Sequence, residues 1–367
     1  MSKIIFTGGG TGGHVFPIIA IASSIREKDP NVLMSYIGPS DFTTSVFLPK
    51  ANIKTKYVFS GKIRRYISFK AIISNIVDIF FNIPVGFVQS FLIMFFTMPD
   101  LIISKGGYGS IPVIFSGLIL RIPIFIHESD VAPGLANRIS GRFAKKIFTS
   151  FSPEITEYFP KEKMVQTGGP VRKNIINWNK ENTLKLRGDK SVIFIIGGSQ
   201  GSEKINDVIF QSLGDLLKDF EIIHQTGIKD INRAKKESVA MIDKDLLGYY
   251  HPLFFLDENE LACAYNYSEI VIGRAGGGMI SEVSSIGKPS ILIPLTHSAQ
   301  NHQAKNAYAY AKNGACLVLE EPNFTGHFLL EKLKTIDKEK MSKAAKEFSP
   351  FNASEKISKE ILDYLIW

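Results

Sequence analysis

Three runs of glycine stand where the backbone could hold a phosphate. The first is Thr7-Gly8-Gly9-Gly10-Thr11-Gly12-Gly13-His14, the second Gly197-Gly198-Ser199-Gln200-Gly201-Ser202, and the third Gly273-Arg274-Ala275-Gly276-Gly277-Gly278. Each follows a short apolar run and precedes a stretch of helical pattern. Without a Cβ the backbone can approach a ligand closely, and the first free amides of the following helix point at an anion. Gly8, Gly10 and Gly13 also satisfy the GxGxxG spacing of a dinucleotide fold. That chemistry needs an acid at the end of the second strand to hold a ribose. The segment Leu33-Met34-Ser35-Tyr36-Ile37-Gly38 contains none.

Two side chains next to these loops could act on a substrate. His14 stands where a helix begins, and the positive helix end disfavours a protonated imidazole. A neutral histidine there can serve as general base. It could also be a helix-end residue without chemistry, but the glycines before it clear room for a substrate. Glu282 falls about one turn into the helix after the third loop. A carboxylate beside a phosphate site can accept both hydroxyls of a ribose; equally, it can simply complement the helix dipole. Asp243-Lys244-Asp245 matches a bare DxD but lies in a charged stretch, not at the end of an apolar strand, and reads as a solvated loop. No metal site is expected.

The elements that would position these residues follow from the pattern of apolar runs. Strands are expected near residues 4–6, 33–37, 101–104, 122–127, 146–149, 192–196, 221–225, 269–272 and 290–294, with helical stretches between them. Continuous apolar runs, as opposed to alternating ones, belong to parallel strands covered on both faces. Two such series imply two doubly wound α/β domains, and 367 residues suffice for two cores. A breaker cluster, Gly168-Gly169-Pro170, marks the boundary. The expected domains are 1–168, 169–350 and a terminal helix within 351–367. With 45% hydrophobic and 21% charged residues, neither disorder nor a fibrous repeat is indicated. Cys263 and Cys316 lie far apart in apolar or small-residue surroundings, outside any zinc spacing, and read as reduced core residues of a cytosolic protein. A signal peptide is not expected at the N-terminus.

The net charge of +8 is concentrated in one place. Between Asp41 and Asp78 there is no acid, whereas Lys50, Lys54, Lys56, Lys62, Arg64, Arg65 and Lys70 are all basic. Uncharged residues follow from Ile79 to Pro99, crowded with phenylalanine. A nucleic-acid surface would interleave aromatics with further base, so nucleic acid is not expected. The uncharged run is about as long as a membrane span. Pro84 and Gly86 interrupt it, so two helices broken near Pro84 are expected. Ile72, Ile76, Ile79, Phe80 and Ile83 share one face, and Ile73, Val77 and Phe81 make the other face apolar too. Such a helix is either deeply buried or laid on a membrane. The adjoining cations favour an interfacial helix on anionic lipid, with Lys62, Arg64, Arg65 and Lys70 as its cations and Ile76 and Phe80 on its insertion face.

Several segments in order now resemble one family. They are Thr7 to Pro17, Gly106-Gly107-Tyr108 through Pro112, His127-Glu128, Gly169-Pro170-Val171-Arg172, Gly197 to Gly201, Arg274 to Glu282, and His302-Gln303 with Asn306-Ala307. Together they closely resemble the MurG family, the UDP-N-acetylglucosamine:lipid I N-acetylglucosaminyltransferases of peptidoglycan synthesis. The resemblance implies a GT-B architecture, two Rossmann-like doubly wound domains facing across a cleft, with the last helix returning to the first domain. It implies inverting transfer of N-acetylglucosamine to the MurNAc 4-hydroxyl of lipid I, giving lipid II, at the cytoplasmic face of the bacterial inner membrane. Cofactors are not implied.

By the same resemblance Ser199 and its loop meet the diphosphate, Arg172 adds a cation, and Leu256 presents its backbone to uracil. Gly277, Gly278, Met279, Ile280 and Ser281 cradle the nucleotide, Glu282 takes the ribose and Gln303 the sugar. Thr11, Gly12, Gly13 and His14 close over the donor, with His14 as base. One position departs: the family usually has Gln-Asn after His127-Glu128, and this chain has Ser129-Asp130. An amide expected near the donor sugar becomes a carboxylate, which beside a diphosphate must be protonated or paired; Arg138 and Arg172 are the candidate partners. Other readings are a related GT-B UDP-sugar transferase with another acceptor, a UDP-sugar epimerase, and a non-catalytic UDP-sugar-binding scaffold at the membrane. The first two would have no need of the basic and aromatic segment, and the third would tolerate loss of His14.

Overall fold

A computed structural model describes residues 1–64, 68–198, 201–296, 298–349 and 352–366. The chain divides into two compact units, one of Met1–Arg172 with Phe351–Trp367, the other of Lys173–Pro350.

The first unit is built on seven parallel strands: β1 (Lys3–Thr7), β2 (Leu33–Gly38), β3 (Lys54–Tyr57), β4 (Leu101–Ser104), β5 (Ile124–Glu128), β6 (Lys146–Thr149) and β7 (Met164–Gln166). Their spatial order is β3-β2-β1-β4-β5-β6-β7. Because side chains alternate across a strand, each strand feeds two cores. Ile4 and Phe6 point to a cluster with Val15, Ile18 and Ile21 of helix Gly12–Lys28. Ile357 and Ile361 of the C-terminal helix Ala353–Ile366 complete that cluster. Ile5, Ile102 and Ile126 point the other way, against Val113 and Ile114. The order reverses between β1 and β4. Loops leaving neighbouring strands at such a switch point diverge and open a crevice at the carboxyl ends; here they are the first glycine run and Lys105-Gly106-Gly107.

The second unit repeats the plan with six parallel strands: β8 (Ser191–Ile196), β9 (Phe220–Gln225), β10 (Tyr250–Leu253), β11 (Ile270–Gly273), β12 (Ser290–Leu292) and β13 (Leu317–Val318), ordered β10-β9-β8-β11-β12-β13. Its switch point lies between β8 and β11. The second and third glycine runs leave the carboxyl ends of those two strands.

The uncharged segment folds differently from the sequence expectation. Phe69–Thr97 is one continuous helix of 29 residues. A π-helical turn, Asp78–Asn82, precedes Pro84 in place of a break. A widened turn takes the carbonyl ahead of the proline ring out of its way, so the helix continues. The turn is pinned by Asp78, which accepts from Arg64 Nη1 at 2.7 Å and from Asn82 Nδ2 at 2.6 Å. Burial raises the Asp78 pKa, but the hydrogen bonds from Asn82 and Arg64 outweigh it and leave the carboxylate below its ordinary range. One narrow seam of the helix is buried: Ala71, Asp78, Gly86, Ser90 and Met94. A deeply buried core helix is therefore ruled out. Phe80, Phe81 and Phe96 are 68%, 64% and 79% exposed.

Candidate functional site

In the first unit the site begins at the N-terminus of helix Gly12–Lys28. The Thr11 hydroxyl does not cap this helix and bonds His14 Nδ1 at 2.8 Å. The ring lies beside two glycines. A Cβ on Gly107, whose φ is +81°, would stand 2.7 Å from Gly9 Cα and 3.2 Å from His14 Nε2, and one on Gly9 would stand 3.4 Å from the ring. Glycine at these positions lets the β1 and β4 loops close on the imidazole. Withdrawal from water, then the charge of Lys105, push the His14 pKa down to about 3, so the ring is neutral at physiological pH.

Lys105, at the end of β4, is buried at 5% exposure and donates to Ser129 Oγ at 2.6 Å. Its ammonium faces two carboxylates, Glu128 and Asp130; burial lowers its pKa while those carboxylates oppose the fall. Glu128 accepts from the Asp130 amide and from Asn137 Nδ2, both at 2.9 Å. Burial first, and Asp130 second, push Glu128 up to about 7 against the pull of Lys105. Lys105 is a cation facing Asp130 beyond the two arginines, Arg138 and Arg172, that the sequence suggests. Its signal was a lysine ending an apolar strand directly before two glycines. Arg138 is exposed, with its guanidinium over the Tyr158 ring at 5.4 Å. Arg172 is buried and stacks at 4.1 Å on Phe16, two residues along the helix from His14.

The second unit gathers its candidates around two loops. Ser199 lies outside the described residues. Beside it, Gly201 has φ +79° and passes so close to the Thr226 carbonyl that a Cβ would collide. Arg274, leaving β11, donates to Ser202 Oγ at 2.6 Å and pairs with Glu321 at 2.5 Å. Gln303 shares a cavity of about 530 Å³ with Gly197, Gly201, Ser202, Arg274 and Glu321. Arg274 is thus the arginine fixed beside the second glycine loop, a role the sequence reading did not assign it; its signal was an arginine at the exit of a buried strand.

Helix Gly277–Ser285 starts from Gly276 with no side-chain cap. Among the described residues, a Cβ on Gly276 or Gly278 would meet nothing within 4 Å, so their packing does not require glycine there. Ile280 and Ser281 are buried, and the Ser281 hydroxyl turns back to the Gly277 carbonyl at 2.7 Å. Their side chains face inward and leave only backbone for a ligand. Glu282 accepts from Tyr265 Oη at 2.7 Å, which fixes its carboxylate. Met279 is half-buried; Leu256 is buried just before Asp257, which caps helix Glu258–Tyr267. Asp243 and Asp245 are exposed.

Of the residues assigned to a membrane face, Lys70, Ile76 and Phe80 are exposed on helix Phe69–Thr97, and Lys62 is exposed ahead of it. Arg64 is different. Its guanidinium is committed to Asp78, so it holds the π turn instead of presenting a free cation. Arg65 lies outside the described residues.

Residues 4–149 match the glycosyltransferase family 28 N-terminal domain, and residues 192–361 match the glycosyltransferase family 28 C-terminal domain. A UDP-N-acetylglucosamine–N-acetylmuramyl-(pentapeptide) pyrophosphoryl-undecaprenol N-acetylglucosamine transferase of Bacillus cereus is 36% identical over 343 residues, 92% of each chain. A protein of that description from Clostridium tetani is 35% identical over 363 residues, 97% of this chain and 96% of its own. Among solved structures, Acinetobacter baumannii MurG aligns over 99% of this chain and 100% of its own, with a TM-score of 0.72 at 23% identity. UDP-GlcNAc 2-epimerase from Neisseria meningitidis, bound to UDP-GlcNAc, aligns over 99% of this chain and 100% of its own, with a TM-score of 0.67 at 15% identity. These structural likenesses establish the shared fold. With both family domains matched in order and curated relatives above 30% identity along nearly the whole chain, this protein belongs to glycosyltransferase family 28.

Proposed function

We propose that this chain transfers N-acetylglucosamine from UDP-N-acetylglucosamine to the MurNAc 4-hydroxyl of lipid I, with inversion, at the cytoplasmic face of the bacterial cell membrane. The reading is carried by the near-full-length identity to transferases described by that reaction, and it is supported by a neutral histidine held at a glycine-cleared helix end. In the displacement, the acceptor oxygen bonds to the anomeric carbon as the bond from that carbon to the phosphate oxygen breaks. The hydroxyl proton passes to His14, and UDP leaves with the electron pair. In the tautomer whose Nδ1–H donates to Thr11 Oγ1, His14 keeps the Nε2 lone pair for this task. An approaching diphosphate brings negative charge that raises the imidazole pKa toward a working value.

Departing charge falls to helix N-termini and to Arg274, poised beside the second glycine loop. Thr11, Gly12 and Gly13 close over the donor, Gly277 to Ser281 offer backbone to the nucleotide, Glu282 accepts ribose hydroxyls and Gln303 the sugar. Leu256 presents backbone to uracil. Arg172 and Ser199 keep the roles the family pattern implies for them. Lys105 answers the negative charge of Asp130, so the carboxylate standing where the family has an amide is not left uncompensated. No step of this scheme is routed through a metal or a cofactor.

The acceptor is lipid-linked, so the enzyme must meet a bilayer. The exposed face of helix Phe69–Thr97, with Lys70 on the helix and Lys62 ahead of it, supplies an interfacial anchor on an anionic inner leaflet. The decisive assay is incubation with UDP-N-acetylglucosamine and a detergent-soluble, short-chain lipid I analogue. Equimolar UDP and β-linked disaccharide are expected. Release of UDP with free sugar, or epimerised donor without transfer, would overturn the reading.

A further inference from the structure

A second cavity of about 530 Å³ lies in the first unit, lined from β1, β2 and β3 and from the end of helix Phe69–Thr97. β1 enters at Lys3, which lines this cavity, and leaves at Thr7 into the His14 loop, a span of roughly 13–16 Å. The cavity therefore belongs to neither glycine loop.

Its lining has two parts. Ile5, Leu33, Phe96 and Pro99 make an apolar floor, and Lys3, Arg26, Lys54 and Lys56 are its charged members, with no carboxylate among the lining residues. Two of the cations are fixed: Lys3 Nζ donates to the Thr97 carbonyl at 2.8 Å, and Arg26 donates to the Asn52 carbonyl at 3.1 Å. Each spends one donor on the backbone and has others to offer. Lys54 and Lys56, two residues apart on β3, project from the same face and are exposed. Lysines on an edge strand commonly guard it against pairing with another chain. That task needs neither an apolar floor nor two further cations held in place by backbone carbonyls.

Phe96, Thr97 and Pro99 also end the exposed apolar helix, so the cavity opens where its lipid-facing side stops. We propose that this cavity binds the headgroup of an anionic phospholipid, its phosphate among Lys3, Arg26, Lys54 and Lys56 and its first acyl carbons on the apolar floor. The volume suits a small amphiphile. The setting rests on the reading that helix Phe69–Thr97 lies on a membrane, and the experiment separates the two.

Monomeric dihexanoyl phosphatidylglycerol is added to the full chain, and amide exchange is followed in peptides covering residues 32–35, 52–56 and 96–99. Protection is expected with this lipid and not with dihexanoyl phosphatidylcholine or inorganic phosphate at equal concentration. In Lys54→Glu with Lys56→Glu, about tenfold or more lipid is needed for the same protection, while disaccharide formation from a detergent-soluble acceptor is unchanged. Phe80→Asp with Phe81→Asp loses vesicle binding yet keeps the protection by soluble lipid. The headgroup site is overturned by absence of protection in the parent chain or by equal protection from phosphatidylcholine. Equal protection from phosphate alone, or undiminished protection in the lysine variant, overturns it too. Should the glutamate variant misfold, Lys54→Gln with Lys56→Gln is read by the same criteria.

Discussion

At the scale of single residues, the site depends on which protons are held and where. His14 is neutral because the surrounding loops exclude water and Lys105 adds positive charge. Replacing it with alanine removes the proposed base but neither glycine loop of the second unit. Turnover of His14→Ala is expected to fall about 10²–10⁴-fold, with UDP affinity within a few-fold of the parent by calorimetry; turnover near the parental value would return His14 to a helix-end role. Glu282 is held by Tyr265 and acts, on this reading, on the ribose in ground and transition states alike. Glu282→Ala should therefore raise KM for the donor more than it lowers kcat, and an unmoved KM would leave only the dipole role. Glu128 carries a pH signature. Its folded pKa, about 7, lies above the ordinary 4.5. The stability it contributes is complete below about pH 4.5 and is lost as pH rises through 7. Urea unfolding should show a loss of stability between pH 4.5 and 8 that Glu128→Gln lacks. Parallel pH profiles for the two proteins would show that Glu128 titrates normally.

At the scale of elements, helix Phe69–Thr97 is the part whose sequence and position pull in different directions. Its buried seam of small and polar residues holds it to the domain, while phenylalanines and isoleucines face outward. An exposed apolar surface of this extent normally marks a partner or a membrane. Co-sedimentation with phosphatidylglycerol vesicles should be lost in Phe80→Asp with Phe81→Asp, and activity on a detergent-soluble acceptor retained. Vesicle binding by this variant at the parental level would remove the helix from the membrane contact. Asp78 has a separate task here, since its bonds to Arg64 and Asn82 hold the π turn that carries the helix past Pro84.

At the scale of the whole molecule, the chain does not finish in the unit it has just built. Helix Ala353–Ile366 follows the second unit in sequence but belongs to the first, where Ile357 and Ile361 are fully buried against helix Gly12–Lys28 and β1. The first sheet thus takes part of one face from residues more than 300 positions away, as the Ser24–Ser358 hydrogen bond at 2.8 Å also records. Ile361→Ala should cost about 2–5 kcal/mol, read as a lower urea midpoint for the transition reported by first-unit probes. An equal drop in both units' transitions, or none, would show that the helix is not a separate component of the first core.

The nine strands legible as apolar runs are β1, β2, β4, β5, β6, β8, β9, β11 and β12, and the four that were not, β3, β7, β10 and β13, are the two edges of each sheet. A central parallel strand is covered on both faces and has a neighbour on each side, so its residues must be apolar; an edge strand escapes part of that demand. β3, Lys-Thr-Lys-Tyr, looks like a solvated stretch for this reason. The glycine loops and the place of His14 at a helix start were legible because glycine, helix start and side chain adjoin in sequence. Lys105 opposite Glu128 and Asp130, Arg274 against Ser202 and Glu321, and Arg64 on Asp78 were not. Those charges meet only because strands far apart in sequence end side by side, or because a helix folds back on the loop before it. Sequence alone determined the kind of fold, the family and where the glycine loops stand. Tertiary structure decided which charges are paired, which face of the apolar helix is bare and which core the last helix completes, because each depends on neighbours that periodicity does not specify.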